Sequence, residues 1–141
     1  MSCYVIEGGN PLKGEINLQG SKNSALPILA ATLLNKGVCV IENCPAIKDV
    51  ETAVEILKSL GCRVEKKENS ITVDSSQCRK YIIKEELMCK MRSSIVFLGG
   101  LLAVSKQAVV CFPGGCCLGE RPIDIHISAL KKNGCCNIRN L

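Results

Sequence analysis

The stretch LKSLGC at positions 57–62 returns further along the chain as LKKNGC at positions 130–135. In both copies an apolar helical pattern ends at a glycine, which is typical of a helix C-terminus. Each copy is preceded by a stretch with the residue types of a strand, Val38–Ile41 in the first and Ala108–Cys111 in the second. These two stretches have nearly the same separation as the two copies. The spacing of roughly 70 residues predicts an internal repeat of helix, strand, loop, helix and strand.

Two helices in the repeat are apolar on nearly every side. They cover Ala25–Leu34 and Ser93–Val104, and we expect both to be buried. Asn35-Lys36-Gly37 should end the first of them. Asp49 is predicted as the N-cap of a second helix that ends at Gly61. Its counterpart in the second copy is an amphipathic helix marked by Ile123, Ile127 and Leu130.

Short strands complete the pattern. Tyr4–Ile6 and Glu15–Leu18 show the alternation of strands, and Val64 with Ile71–Val73 predicts a hairpin around Glu68-Asn69-Ser70. The sequence therefore predicts an α/β (α+β) fold built of repeated helix–strand units, with two copies of the repeat.

Composition limits the class of protein. The 141 residues are 47% hydrophobic and 22% charged, which suits one soluble domain. The longest apolar run, Ile95–Val104, is far shorter than the ~20 residues of a membrane-spanning helix, and the first residues do not resemble a secretory signal. The net charge of +5 favours phosphate-bearing partners. With two Phe, two Tyr and no Trp, stacking platforms for nucleic acid are nearly absent.

The chain has 11 cysteines, an odd number, and one histidine. Without an export signal or any C-x-x-C spacing, neither a disulfide framework nor a structural zinc site is expected. We expect most of these cysteines to be small core side chains in a reducing, cytoplasmic compartment, with no metal site.

A glycine-rich loop, positions 113–122, distinguishes the second copy of the repeat. Cys116 lies in it, and Arg121 follows just before a helix. Cations near a thiol lower its pKa, so Cys116 could serve as a nucleophile or a proton donor. The alternative is a surface turn with an incidental cysteine. Asp124 could equally be a favourable charge at a helix start, and His126 a structural histidine.

The second candidate is the motif GSKNSALP at positions 20–27. Lys22 stands at a helix start, where the helix dipole disfavours a cation, and this hints that Lys22 faces an anion. A solvated lysine is the alternative. The glycine spacing is not that of a P-loop, so nucleotide hydrolysis is not indicated.

These two motifs, together with RPIDIH at positions 121–126, resemble the enolpyruvyl transferase family. The similarity runs along essentially the whole chain, and LGCRV at 60–64 and MRSS at 91–94 fit it as well. The sequence resembles the branch of the family whose acceptor is UDP-N-acetylglucosamine, because the shikimate branch lacks a catalytic cysteine in the position of Cys116.

The resemblance implies transfer of the enolpyruvyl group of phosphoenolpyruvate to the 3′-hydroxyl of UDP-N-acetylglucosamine, with release of phosphate and without a cofactor. This is the first committed step of bacterial peptidoglycan synthesis, and it serves cell-wall biogenesis, cell shape and division. Cys116 matches the catalytic cysteine, which is the target of fosfomycin. Lys22, Asn23 and Arg121 match the phosphoenolpyruvate site. The sugar-nucleotide site matches Arg92, Arg121, Pro122, Ile123, Asp124 and Ile125.

Members of the family are about three times as long, with two domains of three repeats each. The resemblance therefore implies that positions 1–21 belong to another domain. Positions 22–141 would then form a partial domain of two repeats, at about 22–75 and 92–141. Cys117 and Glu120 depart from the family pattern beside the site.

We expect the 141-residue chain alone to be inactive and to need the C-terminal part of the same enzyme as its partner. Because a two-repeat piece exposes strand edges and apolar faces, we also expect poor solubility or self-association. The alternative to the transferase is an inactive remnant or an interaction module.

Overall fold

The computed structural model describes residues 3–114 and 122–134, and the backbone of residues 138–140. Helices and strands alternate along these residues. The helices are α1 (Lys22–Asn35), α2 (Lys48–Ser59), α3 (Glu85–Met88), a 3₁₀ helix (Arg92–Val96), α4 (Phe97–Ser105) and α5 (Asp124–Lys132). The strands are β1 (Val38–Ile41), β2 (Arg63–Lys67), β3 (Ser70–Asp74), β4 (Ala108–Val110) and β5 (Ile138–Asn140).

The order helix, strand, helix, strand occurs twice, as α1-β1-α2-β2 and as α4-β4-α5-β5. In the first copy β3 lies between β1 and β2 and is antiparallel to both. In the second copy β4 and β5 pair directly and in parallel. The two outer strands of the first sheet are therefore also parallel to each other, separated by the inserted strand.

The core lies between the helices and one face of the three-stranded sheet. Helix α1 is central, since it contacts both α2 and α4. A buried hydrogen bond joins this helix to the sheet, because the Ser75 hydroxyl donates to the carbonyl oxygen of Thr32 at 2.8 Å. The largest fully buried side chains include Leu26, Leu29, Leu33, Ile56, Leu57, Ile71, Met88 and Phe97.

The predicted hairpin is confirmed, with Glu68 at the turn in a left-handed conformation (φ 44°). The strand Val38–Ile41 is also confirmed, and the strand predicted at Ala108–Cys111 is one residue shorter. Helix α1 ends, as predicted, at Asn35, with Lys36 in the left-handed conformation (φ 51°).

The strands predicted at Tyr4–Ile6 and Glu15–Leu18 are wrong. Residues 3–20 have no regular secondary structure, and Tyr4 is 94% exposed. Period-two alternation gives a chain the pattern of a strand, but a strand forms only when it has a hydrogen-bonding partner. No described strand pairs with either segment.

Three helix predictions also need correction. Helix α1 begins at Lys22, earlier than expected, and it is not buried on every side, because Ile28 and Leu34 are about half exposed. The predicted helix Ser93–Val104 is divided into the 3₁₀ helix and α4. Asp49 is not an N-cap: Ile47 has the extended cap conformation, and Asp49 lies inside the first turn of α2. A tertiary contact determines the role of Asp49, as described below.

Candidate active site

Lys22 and Asp49 form an ion pair between the first turns of α1 and α2. The Asp49 carboxylate is favoured at a helix start, whereas the Lys22 ammonium is not. Pairing offsets that penalty for Lys22. The lysine side chain is still 50% exposed, so its ammonium group can also meet an anion from solvent.

The backbone in front of Lys22 is fixed by close packing. A Cβ atom on Gly20 would overlap the carbonyl oxygen of Asn43, so only glycine fits there without a shift of the chain. Asn43 itself has a left-handed conformation (φ 52°). The glycine of the GSKN motif thus serves close backbone approach, and it aligns the start of α1 with the loop that leads to α2.

Arg92 begins the 3₁₀ helix that leads into α4. A Cβ atom on Gly100 of α4 would lie 3.0 Å from the carbonyl oxygen of Ala30 and 3.2 Å from Leu33, near the C-terminal end of α1. The 3₁₀ helix, which precedes α4 and starts at Arg92, also contacts α1. The structure thus packs the segment of Arg92 against the helix that begins at Lys22.

The strand β4 leads into the glycine-rich loop. Gly114 donates its N–H to the carbonyl oxygen of Met88 at 3.2 Å, and a Cβ atom there would overlap Cys89. The entry to the loop is therefore packed against the end of α3. Cys116 and Arg121, together with Cys117 and Glu120, lie outside the described residues.

The segment after the loop, positions 122–125, has both buried and exposed side chains. Ile123 is buried, whereas Pro122, Asp124 and Ile125 are exposed at the start of α5. Asn23, in the first turn of α1, is also exposed. Of the predicted site residues that are described, Ile123 alone is a buried apolar side chain, which anchors the start of α5.

The structure thus adds Asp49, a residue that the sequence analysis did not assign to the site. Its charge at a helix start gave an ordinary local explanation, the N-cap, and no spacing in the sequence links it to Lys22. The structure brings Lys22 and Asp49 into direct contact. Among the described elements, α5 makes no extensive contact with α1 or α2.

The seven described cysteines are free thiols: Cys44, Cys62 and Cys111 are buried, Cys39 and Cys78 half-buried, and Cys3 and Cys89 exposed. The expectation that most cysteines are core side chains thus applies to three of these seven. Burial, reinforced by the neighbouring Cys78, raises the pKa of Cys62 from 9.0 to about 12. Burial and the nearby Cys89 and Glu85 raise the pKa of Cys111 to about 11.

A polar cavity of about 290 Å³ lies away from the predicted site, where α1 and α4 end. Among the residues that line it are Lys36, Ser75, Arg79 and Gln107. Within residues 3–114 and 122–134, no three Cys, His, Asp or Glu side chains converge as metal ligands would. None of the helices in this part of the chain combines the length and hydropathy that a bilayer crossing requires.

The sequence profile of the EPSP synthase family (3-phosphoshikimate 1-carboxyvinyltransferase) matches residues 6–139. The chain belongs to this family. The repeated helix–strand units described above are therefore those of an enolpyruvyl transferase of this family. A solved member, the enolpyruvyl transferase NikO from Streptomyces tendae, superimposes with a TM-score of 0.65 at 27% identity and covers 72% of this chain and 24% of its own.

Curated family members are similar over 134 residues, or 95% of this chain. UDP-N-acetylglucosamine 1-carboxyvinyltransferase 2 of Caldanaerobacter subterraneus subsp. tengcongensis is 50% identical. UDP-N-acetylglucosamine 1-carboxyvinyltransferase of Methylacidiphilum infernorum is 48% identical. The match covers 32% of each, so the chain spans about a third of the length of these relatives.

Proposed function

We propose that this chain forms the N-terminal third of an enzyme that transfers the enolpyruvyl group of phosphoenolpyruvate to the 3′-hydroxyl of UDP-N-acetylglucosamine. The observation that carries the proposal is the 50% identity, over 95% of the chain, to a relative whose name gives this acceptor. The exposed Lys22 ammonium supports it from the structure. We place the reaction in the cytoplasm, as the first committed step of peptidoglycan synthesis.

Phosphoenolpyruvate carries a phosphate and a carboxylate, so its site must supply cations. Lys22 and Asn23 are proposed to bind it from the start of α1, where the helix dipole also favours negative charge. The Asp49 carboxylate holds the Lys22 ammonium until the substrate arrives. An exposed ion pair of this kind is worth about 0–1 kcal/mol, so a doubly charged substrate can displace the carboxylate.

Cys116 is proposed to give its thiol proton to the methylene carbon of phosphoenolpyruvate. The sugar hydroxyl then bonds to the adjacent carbon and loses its own proton, which gives a tetrahedral ketal. Loss of phosphate and of a methyl proton from this ketal yields the enolpyruvyl ether. Arg121, five residues further along the sequence, is proposed to supply the positive charge that makes such an acid effective near neutral pH.

The remaining predicted residues are proposed to bind the sugar nucleotide. Arg92 and Arg121 are suited to its diphosphate, because a guanidinium can form paired hydrogen bonds with phosphate oxygens. Pro122, Asp124 and Ile125 follow Arg121 in the sequence and are exposed at the start of α5, and Ile123 positions this segment from the core.

Positions 1–21 are proposed to belong to the other domain of the complete enzyme, and positions 22–141 to a partial domain with repeats at about 22–75 and 92–141. Exposure supports this division, since the apolar side chains at positions 4, 5, 6, 12, 16 and 18 contact little of the described structure. The partner that would cover them is the missing C-terminal part of the enzyme.

A chimeric enzyme tests the proposal. Residues 1–134 of this chain would be joined to the remaining two thirds of the relative that is 50% identical. We expect the chimera to release phosphate from phosphoenolpyruvate only when UDP-N-acetylglucosamine is present, and we expect Cys116→Ser to abolish this. Cys39→Ser, at a half-buried cysteine in β1, is the matched control and should leave turnover intact.

The 141-residue chain is assayed beside the chimera, and we expect it to release no phosphate because most of the enzyme is missing. Turnover by this chain alone, lost on Cys116→Ser, would show the site to be complete without the rest. A folded chimera that binds neither substrate would contradict the transferase proposal and favour the interaction module.

A further inference from the structure

Cys89 and Cys111 are neighbours in the folded chain, although 21 residues lie between them in the sequence. Each sulfur also approaches a backbone carbonyl beside the other cysteine. The Sγ of Cys89 is 3.9 Å from the carbonyl oxygen of Phe112, and the Sγ of Cys111 is 3.9 Å from that of Glu85. The contact therefore joins the end of α3 to the end of β4.

Backbone contacts hold the two cysteines in this arrangement. The N–H of Cys89 donates to the carbonyl oxygen of Glu85 at 2.9 Å, the same oxygen that Cys111 approaches. On the other side, Gly114 donates to Met88 at 3.2 Å and packs against Cys89. The two cysteines are thus held near each other by packed segments on both sides, and not by one adaptable side chain.

Access to the two thiols is unequal. Cys89 is exposed, whereas Cys111 is 3% exposed. A small oxidant can therefore reach Cys89 from solvent, while Cys111 is almost closed to it. This is the arrangement of a thiol that reacts with an oxidant and a second thiol that resolves the product.

We propose that Cys89 and Cys111 are a reversible oxidation site, at which a hydroperoxide converts the two thiols into an intramolecular disulfide. The sulfur of Cys89 attacks the peroxide, which gives a sulfenic acid and water. The sulfur of Cys111 then displaces the hydroxyl of the sulfenic acid, which leaves as a second water with the thiol proton. Two electrons pass from the thiols to hydrogen peroxide, and a dithiol reductant reverses the change.

The pair Cys62 and Cys78 provides a control within the same chain. These cysteines are also neighbours in the fold, since the Sγ of Cys78 lies 3.5 Å from the carbonyl oxygen of Leu60, but Cys62 is buried and Cys78 is half-buried. The pair thus has a similar arrangement without an exposed thiol. Accessibility predicts that this pair oxidises much more slowly than Cys89 and Cys111.

The experiment uses the full 141-residue chain, fully reduced and then exposed to hydrogen peroxide for increasing times. Remaining thiols are blocked, and disulfides are mapped by digestion and mass spectrometry. We expect the Cys89–Cys111 peptide to form roughly ten-fold faster than the Cys62–Cys78 peptide, because an exposed thiol reacts first. Dithiothreitol should restore both thiols.

Two variants make the assignment specific. Cys89→Ser changes an exposed side chain and should remove the Cys89–Cys111 peptide, while Cys78→Ser should leave its rate unchanged. Cys111→Ser should stop the reaction at the Cys89 sulfenic acid, which dimedone captures. If Cys89 in the unaltered chain instead forms a sulfinic acid, links to a different cysteine or gives concentration-dependent dimers, the proposal is overturned.

Discussion

At the scale of single residues, burial separates thiols that look alike in the sequence. The pKa of Cys62 rises to about 12 and that of Cys111 to about 11, in both cases mainly because burial disfavours the charged thiolate. Near neutral pH these two thiols are almost fully protonated. Burial also shields them from reagents in solution, so they provide an internal reference for the labelling of an accessible cysteine.

We predict that limited alkylation at neutral pH labels Cys116 before Cys62 and Cys111. The reason is that Arg121 follows it closely in the sequence, whereas burial protects the other two. Peptide mapping after short exposure to iodoacetamide measures the three rates. If Cys116 labels no faster than the two buried thiols, it has no local activation.

The buried thiols also predict a dependence of stability on pH. Between pH 9 and about 12 the unfolded chain releases the Cys62 proton while the folded chain keeps it. The folded state then binds more protons, so the free energy of unfolding falls as the pH rises. The contribution of Cys62 is fully present below pH 9 and is lost as the pH rises toward about 12.

Urea unfolding at several pH values, under reducing conditions, measures this effect. Between pH 9 and about 12, we expect the free energy of unfolding to fall more steeply for the unaltered chain than for Cys62→Ala. The difference in slope should be roughly 1 kcal/mol per pH unit at most. Cys3→Ala, at an exposed cysteine, is the control and should leave the fall unchanged. Equal pH dependence of the chain and Cys62→Ala would contradict the burial argument.

Lys22 is the described residue on which the proposed binding of phosphoenolpyruvate depends most. In the chimeric enzyme we expect Lys22→Met to raise the KM for phosphoenolpyruvate about 10- to 100-fold, since a charged hydrogen bond is worth about 1.5–3 kcal/mol. Stability should change by less than about 1 kcal/mol, because the ion pair with Asp49 is half exposed. Steady-state kinetics and urea unfolding measure the two effects.

Lys36→Met is the matched control for this variant. Lys36 is the exposed lysine just beyond the other end of α1, so it shares the helix but not the site. The KM of the Lys36→Met chimera for phosphoenolpyruvate should be unchanged. A similar rise in KM for both variants would mean that Lys22 acts through net charge and not through contact with the substrate.

At the scale of secondary-structure elements, close packing of α4 against α1 depends on one face of α4. Gly100 faces the backbone of Ala30 and the side chain of Leu33, whereas a Cβ atom on Gly99 would meet nothing within 4 Å. These neighbouring glycines in one helix therefore have different roles. Gly100 permits the contact, and Gly99 has no such packing requirement.

We predict opposite effects for alanine at these two positions. Gly99→Ala should raise the free energy of unfolding by about 0.5–1 kcal/mol, because alanine has the higher helix propensity. Gly100→Ala should be less stable than Gly99→Ala by about 1–3 kcal/mol, since the added Cβ overpacks the interface. Urea unfolding of both variants gives the difference, and equal stabilities would mean that α4 shifts freely on α1.

Several elements could be predicted because their signals are local. The hairpin of β2 and β3 and the end of α1 followed from turn residues, glycine and alternation. The break between the 3₁₀ helix and α4 could not be predicted, since the apolar pattern continues through it. The strands expected at positions 4–6 and 15–18 failed for a related reason, because a strand depends on a partner that its own residues do not specify.

At the scale of the whole molecule, apolar side chains remain uncovered. Tyr4 and Leu12 are 94% and 97% exposed, and Val38 and Val40 of the edge strand β1 are each 61% exposed. Exposed apolar segments and unpaired strand edges favour association with other chains. The predicted self-association of the isolated chain follows from these surfaces.

We predict that removing residues 1–18 reduces this self-association and changes the free energy of unfolding by less than about 0.5 kcal/mol, since the removed side chains bury little surface. Gly20 is kept because it packs on Asn43. Sedimentation velocity and urea unfolding check the two parts. Phe97→Ala, at a fully buried side chain, is the positive control and should cost about 3–5 kcal/mol.

A monodisperse monomer of the unaltered chain at high concentration would contradict the prediction of self-association. A large loss of stability on removing residues 1–18 would instead show that this segment packs against the folded part.

The sequence by itself determined the repeated order of helices and strands and the family, because periodicity, turn residues and motifs are encoded in neighbouring positions. Tertiary structure decided which side chains meet. It paired Lys22 with Asp49, and it placed Cys89 near Cys111, across segments that no local pattern connects. Such contacts depend on how α1, α2, α3 and β4 pack around a shared core, and that packing is a property of the folded chain.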